Sequence, residues 1–153
     1  MSKSTFVYVV YIASTPEKVW SGLLDPEFTR QYWEHDNVSD WKAGSQWEHR
    51  KGDASGAIDI QGEVVEARKP SRLVVTWAAP HEAKLRHRHS RVTFELEAVA
   101  DMTRLTVTHD ELEANSEMER KITSGWPRVL SSLKTLLETG KPLPTWAKAK
   151  AAR

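Results

Sequence analysis

From residue 36 to residue 110 the chain is written in period two. Ile58, Ile60, Gly62 and Val64 alternate with Asp59, Gln61 and Glu63. Val92, Phe94 and Leu96 alternate with Thr93, Glu95 and Glu97, and Leu105, Val107 and His109 alternate with Thr106 and Thr108. Leu73, Val75 and Trp77 also share one parity. Such alternation predicts strands with one buried and one wet face, as in an antiparallel meander. Turn residues recur at Lys42-Ala43-Gly44, Lys51-Gly52-Asp53, Lys69-Pro70-Ser71, near Pro80 and at Ala100-Asp101, which divides the region into about six strands.

The period changes on both sides. Thr5 to Ile12 is β-branched and aromatic throughout, and predicts a strand buried on both faces or nearly so. Ser14 then offers a helix cap, with Pro16 in the first turn and Glu17 three residues on. That helix runs to about Leu24. Asp25-Pro26-Glu27 repeats the signal and starts a second short helix, to about Tyr32 or Trp33. At the other end, Ser116-Glu117-Met118-Glu119 is a capping-box pattern. Met118, Ile122, Trp126, Val129, Leu130, Leu133, Leu136 and Leu137 follow at helical spacing, and Gly140 supplies a stop. Gly125-Trp126-Pro127 interrupts this helix. Proline lacks the amide donor and clashes with the carbonyl one turn back, at about 3 kcal/mol. A kink is expected there, the alternative being a short first helix that ends near Gly125.

One amphipathic helix must bury its stripe on one apolar sheet face. The predicted fold is therefore α+β: a curved antiparallel sheet of six to seven strands around a long C-terminal helix, with two short helices after the first strand. A single domain is expected over residues 1–144, followed by a basic C-terminal tail over 145–153.

Composition narrows the function classes. The chain has 153 residues, 39% of them apolar and 28% charged, which suits one globular domain. A net charge of +1 gives no general attraction to nucleic acid or anionic membranes. The absence of cysteine excludes disulfides, thiol nucleophiles and cysteine-ligated metals. No apolar run approaches the ~20 residues that span a bilayer, and no signal-peptide core follows Met1, so a cytoplasmic location is expected. The seven tryptophans stand out against about two expected for this length.

The order and the residues together resemble a known family. Tyr11-Ile12 followed by Thr15-Pro16-Glu17-Lys18-Val19-Trp20 resembles the opening of the activator of heat-shock-protein-90 ATPase homologue family. The run from Gly125-Trp126-Pro127 to Gly140 resembles its C-terminal helix. Pro70-Ser71-Arg72-Leu73 leading to Trp77, Ser90-Arg91-Val92-Thr93-Phe94, and Thr103-Arg104-Leu105-Thr106 to His109 also fit, so the likeness spans roughly Thr5 to Pro144. The resemblance implies the START-like helix-grip fold of the birch-pollen-allergen-like superfamily, whose members bind apolar or amphipathic ligands between sheet and helix. The eukaryotic co-chaperones of the family carry a further N-terminal domain. This chain begins directly at the first strand, so chaperone contact is not the leading expectation.

Within that frame Trp33, Trp47, Trp77 and Trp126 are candidate cavity walls, together with Phe94, Met118, Ile122 and Leu130. Core packing is the competing account of each. His109 shares the inward parity of Leu105 and Val107 and is the candidate polar anchor, or a base if the protein is a cyclase- or hydrolase-like enzyme. His81, His87 and His89 could suggest a metal, but Lys84, Arg86, Arg88 and Arg91 surround them and disfavour a dication. No metal, cofactor or nucleic acid is expected. The leading expectation is a non-enzymatic protein that binds a small apolar or amphipathic molecule. An interaction module or a homodimer is the further alternative.

Overall fold

The computed structural model describes residues 2–144. The expected basic tail over 145–153, with Trp146, lies outside the described residues. The elements run β1 (Lys3–Ile12), α1 (Pro16–Leu24), α2 (Pro26–Tyr32), β2 (His35–Val38), β3 (Gln46–Lys51), β4 (Ile58–Arg68), β5 (Arg72–Trp77), β6 (Ser90–Val99), β7 (Met102–Glu113) and α3 (Glu117–Thr139). Two short 3-10 turns, Pro80–Glu82 and Arg86–Arg88, join β5 to β6. The strands form one seven-stranded antiparallel sheet in the order β1-β7-β6-β5-β4-β3-β2. The apolar stripe of α3 (Ile122, Trp126, Leu130, Leu133 and Leu136) is buried with Leu73, Val75, Val92, Phe94, Leu105 and Val107 of the sheet. This is the helix-grip arrangement that the periodicity predicts.

Local signals explain the boundaries. Thr15, rather than Ser14, caps α1: its Oγ1 accepts from the Lys18 amide at 3.2 Å, leaving Pro16 as the first helical residue. The Ser14 carbonyl instead accepts from Thr103 Oγ1 at 2.7 Å, which ties the start of α1 to β7. Asp25 caps α2 through the Glu27 amide. Ser116 caps α3 through the Glu119 amide, and the Glu119 carboxylate accepts from the Asn115 amide, one residue before the cap, while the Ser116 amide bonds the Glu113 carbonyl. Gly140, at φ 86°, ends α3 in the left-handed conformation. The helix runs on through Pro127 without stopping.

β1 departs from expectation. It is an edge strand, paired with β7 alone, and its outer face is open: Val7, Val9 and Tyr11 are 54%, 47% and 42% exposed. A wholly β-branched and aromatic run reads alike on both faces, so its sequence could not show that one of them meets water.

Two local features of the sheet help to position the interior. In β7, Glu111 adopts φ 58°, and the pairing with β1 shifts in the same stretch. A residue inserted this way breaks the period of two. Both His109 and Leu112 are therefore buried, although three residues apart. In β4, Gly62 lies against β5: a Cβ there would sit 2.1 Å from the Thr76 carbonyl oxygen. Only glycine allows this approach. The Thr76 carbonyl accepts from Trp47 Nε1 at 2.8 Å, and Thr76 Oγ1 accepts from the Glu63 amide at 2.9 Å.

Replacing Gly62 by Ala should therefore destabilise the protein by about 2–3 kcal/mol, because backbone must yield rather than a flexible side chain. Urea unfolding of Gly62→Ala checks this; a midpoint equal to wild type would show that β4 and β5 separate without strain.

Candidate functional site

The inward faces of β3, β5, β6 and β7 meet α3 in a continuous cluster of aromatic rings. Trp77 on β5 is central. Its ring lies 5.5 Å from Trp47, 6.0 Å from His49, 5.4 Å from His109 and 5.4 Å from Trp126, centroid to centroid. Trp126 also meets Phe94 edge-on at 5.8 Å and Trp33 at 5.6 Å. Trp33 in turn packs on His49 at 4.6 Å. Tilted and edge-on pairs of this kind are the favoured arrangements of aromatic quadrupoles.

The polar groups in this cluster are fixed by a hydrogen-bond chain. Trp126 Nε1 donates to His109 Nδ1 at 3.1 Å, so Nδ1 carries the lone pair and Nε2 the proton. His109 Nε2 then donates to Ser90 Oγ at 2.7 Å, and Ser90 Oγ donates to the Trp77 carbonyl at 3.2 Å. His109 is fully buried. Burial pushes its pKa down to about 3, with the charge of Asp110 opposing this more weakly. The imidazole is neutral and both its nitrogens are engaged.

A second buried histidine lies across Trp77. His49, on β3, pairs directly opposite Asn37 of β2. Asn37 Nδ2 donates to the Leu23 carbonyl at 2.9 Å, so its Oδ1 is the acceptor of a hydrogen bond from His49 Nδ1–H at 2.6 Å. The lone pair of His49 is thereby placed on Nε2, the tautomer opposite to that of His109. Burial, and then the charge of His35, hold the His49 pKa well below its ordinary value. His35 stacks on His49 at 4.0 Å with the rings nearly parallel.

Beside the cluster is a cavity of about 190 Å³, where β5, β6 and β7 meet the first turn of α3 and the turns after β5. Its lining includes Trp77, Ala78, Ser90, Leu112, Met118 and Lys121. Arg88, also in the lining, donates to both carboxylate oxygens of Glu113 at 3.2 Å.

Of the residues singled out from sequence, Trp77 and Met118 line this cavity. Trp47, Phe94, His109, Ile122, Trp126 and Leu130 are buried in the core behind it, and Trp33 packs against that core half-exposed. The space expected between Trp77, His109 and the Gly125-Trp126-Pro127 segment is filled by the rings themselves, which displaces the opening toward the start of α3. Sequence reasoning passed over Ser90, Asn37 and His49 as site residues. Parity does place His49 on the face of Trp47, but the Asn37–His49 pairing depends on a register that the short β2 does not specify.

His81, His87 and His89 fall on or beside the 3-10 turns. There His89 is held by the Ala83 carbonyl at 2.8 Å and by Thr76 Oγ1 at 3.1 Å. Among the described residues no cluster of three or more His, Asp or Glu groups could hold a metal. Nor is any helix among them long and apolar enough to cross a membrane.

A curved sheet gripping a terminal helix, with a cavity at one end, defines a START-like domain. The family profile described as activator of Hsp90 ATPase homolog 1-like protein matches residues 13–138, and the chain belongs to that family. Solved structures agree in fold. Protein MLL2253 from Mesorhizobium loti is 24% identical, with 88% of this chain and 97% of that chain covered at a TM-score of 0.73. The Aha1 dimer from Colwellia psychrerythraea is 21% identical, with 90% and 98% covered at 0.73. ChR145 from Cytophaga hutchinsonii is 27% identical, with 92% and 98% covered at 0.72. No curated protein matches the chain.

The buried histidines make stability depend on pH. In the unfolded chain His109 titrates near its ordinary 6.5, whereas in the fold it resists protonation to about 3. Below pH 6.5 the unfolded state therefore binds the extra proton, and stability falls as pH falls. The loss is up to about 1.4 kcal/mol per pH unit for each such histidine. Urea unfolding between pH 7 and pH 5 should show this decline. His109→Gln, which keeps a donor and an acceptor, should reduce the slope by close to one proton; an unchanged slope would contradict the assignment.

Proposed function

We propose that this protein binds a small apolar or amphipathic molecule in the cavity between the sheet and α3. The observation that carries the reading is the cavity itself, set between the buried Trp77, Ser90 and Leu112 of the sheet and Met118 of the helix. The cavity is partly open to solvent, and its rim carries the exposed Arg88, Glu111, Glu117 and Lys121. Trp77 and Leu112 offer apolar contact, and Lys121 and Arg88 offer polar contact to the other end of an amphipathic molecule. An enzyme using His109 is less well supported, because both ring nitrogens are occupied and burial keeps the ring from accepting a proton.

Titration with a panel of small apolar compounds, read by tryptophan fluorescence and thermal shift, tests the reading. Compounds that fit should quench or shift the emission and raise the melting temperature. Met118→Trp places a larger side chain at the lining and should weaken binding by about tenfold or more, with folding retained. Wild-type protein that responds to none of the panel would rule the reading out.

Self-association is a second reading, favoured by the exposed Val7, Val9 and Tyr11 on the open edge strand. The Colwellia psychrerythraea relative is described as a dimer. Sedimentation should show a dimer in wild type and a monomer in Val9→Lys; a monomeric wild type at high concentration would refute it.

A further inference from the structure

The cavity at the start of α3 has an apolar floor and a rim in which one sign of charge prevails. Trp77, Ala78 and Leu112 in its lining are buried. Around them stand the carboxylates of Glu82, Glu111, Glu113 and Glu117 against the cations of Arg88 and Lys121, an excess of two negative charges. His81 completes the set; its side chain is 80% exposed and lies 3.5 Å from Glu82. Both cations are already matched. Arg88 lies 3.2 Å from Glu113 and 3.6 Å from Glu82, and Lys121 lies 3.3 Å from Glu117. Glu111 enters no ion pair among the described residues. The cation that feels its charge is Arg91, whose guanidinium is held by both oxygens of Asp110. Glu111 is also the residue inserted in β7: pairing with β6 begins at Asp110 opposite Arg91, and pairing with β1 passes from His109 to Leu112. Its φ of 58° is one that a residue with a Cβ seldom adopts. The insertion that brings Leu112 into the lining thus sets an unmatched carboxylate on the rim.

We propose that the cavity selects a cationic amphipath: a small amine, protonated at neutral pH, whose apolar body lies on Trp77, Ala78 and Leu112 and whose ammonium lies at the rim beside Glu111. The proposal rests on the cavity-binding reading and names the polar end of the ligand. An anionic end would have to displace Glu113 from Arg88 or Glu117 from Lys121, and would be repelled by Glu111. An ammonium leaves both pairs intact and supplies the counter-charge that Glu111 lacks. A neutral alcohol gains the apolar contacts alone. The preference is local, since the chain as a whole carries a net charge of +1 and has no general attraction for a cation. Water at the rim screens the charges, so the expected discrimination is about tenfold, well short of what a buried pair could give.

The test compares benzylamine, benzyl alcohol and benzoate on the full chain by calorimetry at about pH 8, where an exposed histidine is neutral and benzylamine is still charged. The three share one ring and differ in charge. At low salt benzylamine should bind about tenfold tighter than benzyl alcohol, with benzoate weakest. At about 1 M salt the advantage of the amine should shrink to about twofold, while the alcohol keeps its affinity. Glu111→Gln removes one of the two excess charges and orphans no cation, so in that variant the advantage should fall to about threefold. Met118→Trp should weaken amine and alcohol alike, which places both in the cavity. Equal affinity for amine and alcohol in wild type, or a preference for benzoate, would overturn the proposal while leaving the cavity reading intact. So would an advantage that Glu111→Gln leaves unchanged, or amine binding that Met118→Trp leaves unchanged. Failure of all three compounds to bind would overturn both. The wild-type comparison and its salt dependence need no variant, so they decide the matter even if a substitution prevents folding.

Discussion

The interior depends on one hydrogen-bonded chain: Trp126 to His109, His109 to Ser90, and Ser90 to the carbonyl of Trp77. It joins α3, β7, β6 and β5 through groups that are all buried. Apolar burial supplies most of the free energy that closes the helix onto the sheet, but that force has no direction. A stripe of leucines would tolerate sliding by part of a turn. The polar chain does not, because each displaced partner would leave a buried donor or acceptor unpaired at about 1–3 kcal/mol. The relative rotation of helix and sheet is thereby set, and with it the position of every ring around Trp77.

That position also depends on the backbone at two places. Gly62 brings β4 onto the Thr76 carbonyl, so that Trp47, directly opposite Gly62 in the pairing, can donate to the same oxygen. The Glu111 bulge re-aims the end of β7, so that Leu112 as well as His109 turns inward. Trp77 and Leu112 then face the first turn of α3 across a space which Met118 borders but does not fill. The cavity is thus the residue of a mismatch: a bulged strand end and a helix start diverge beyond the last well-packed layer.

The strands and the terminal helix were legible in the sequence because their periodicities differ and persist over many residues. The alternation at Ile58, Val92 and Leu105 could only be satisfied by a one-sided sheet, and the stripe from Met118 to Leu137 only by a helix lying on it. Parity was also enough to turn Trp77 and His109 inward. What parity cannot supply is whether inward-facing rings leave a gap. Trp77, Trp126 and His109 are large enough to enclose a void or to close it, and their tilted packing closes it. The real opening depends on the Glu111 bulge, a backbone departure with no glycine to announce it. The solvent-facing side of β1 was hidden for the opposite reason: Val7 and Val9 look like core residues, and only the folded packing leaves that face exposed.

The two buried histidines show how far residue type alone falls short of chemistry. Both are neutral, both lie against Trp77, and both are held from protonation mainly by burial. Their neighbours make them opposites. An indole donor on Nδ1 forces His109 to carry its proton on Nε2, where Ser90 takes it, and the ring becomes a closed structural link. A carboxamide acceptor on Nδ1 forces His49 to carry its proton there, so its lone pair stands on Nε2, with no hydrogen bond from any described residue. The choice is made by Trp126 and Asn37, which lie 17 and 12 residues away in the chain. A histidine's parity predicts that it is buried. Its tautomer, and hence whether it can still receive a hydrogen bond, is a property of the tertiary pairing.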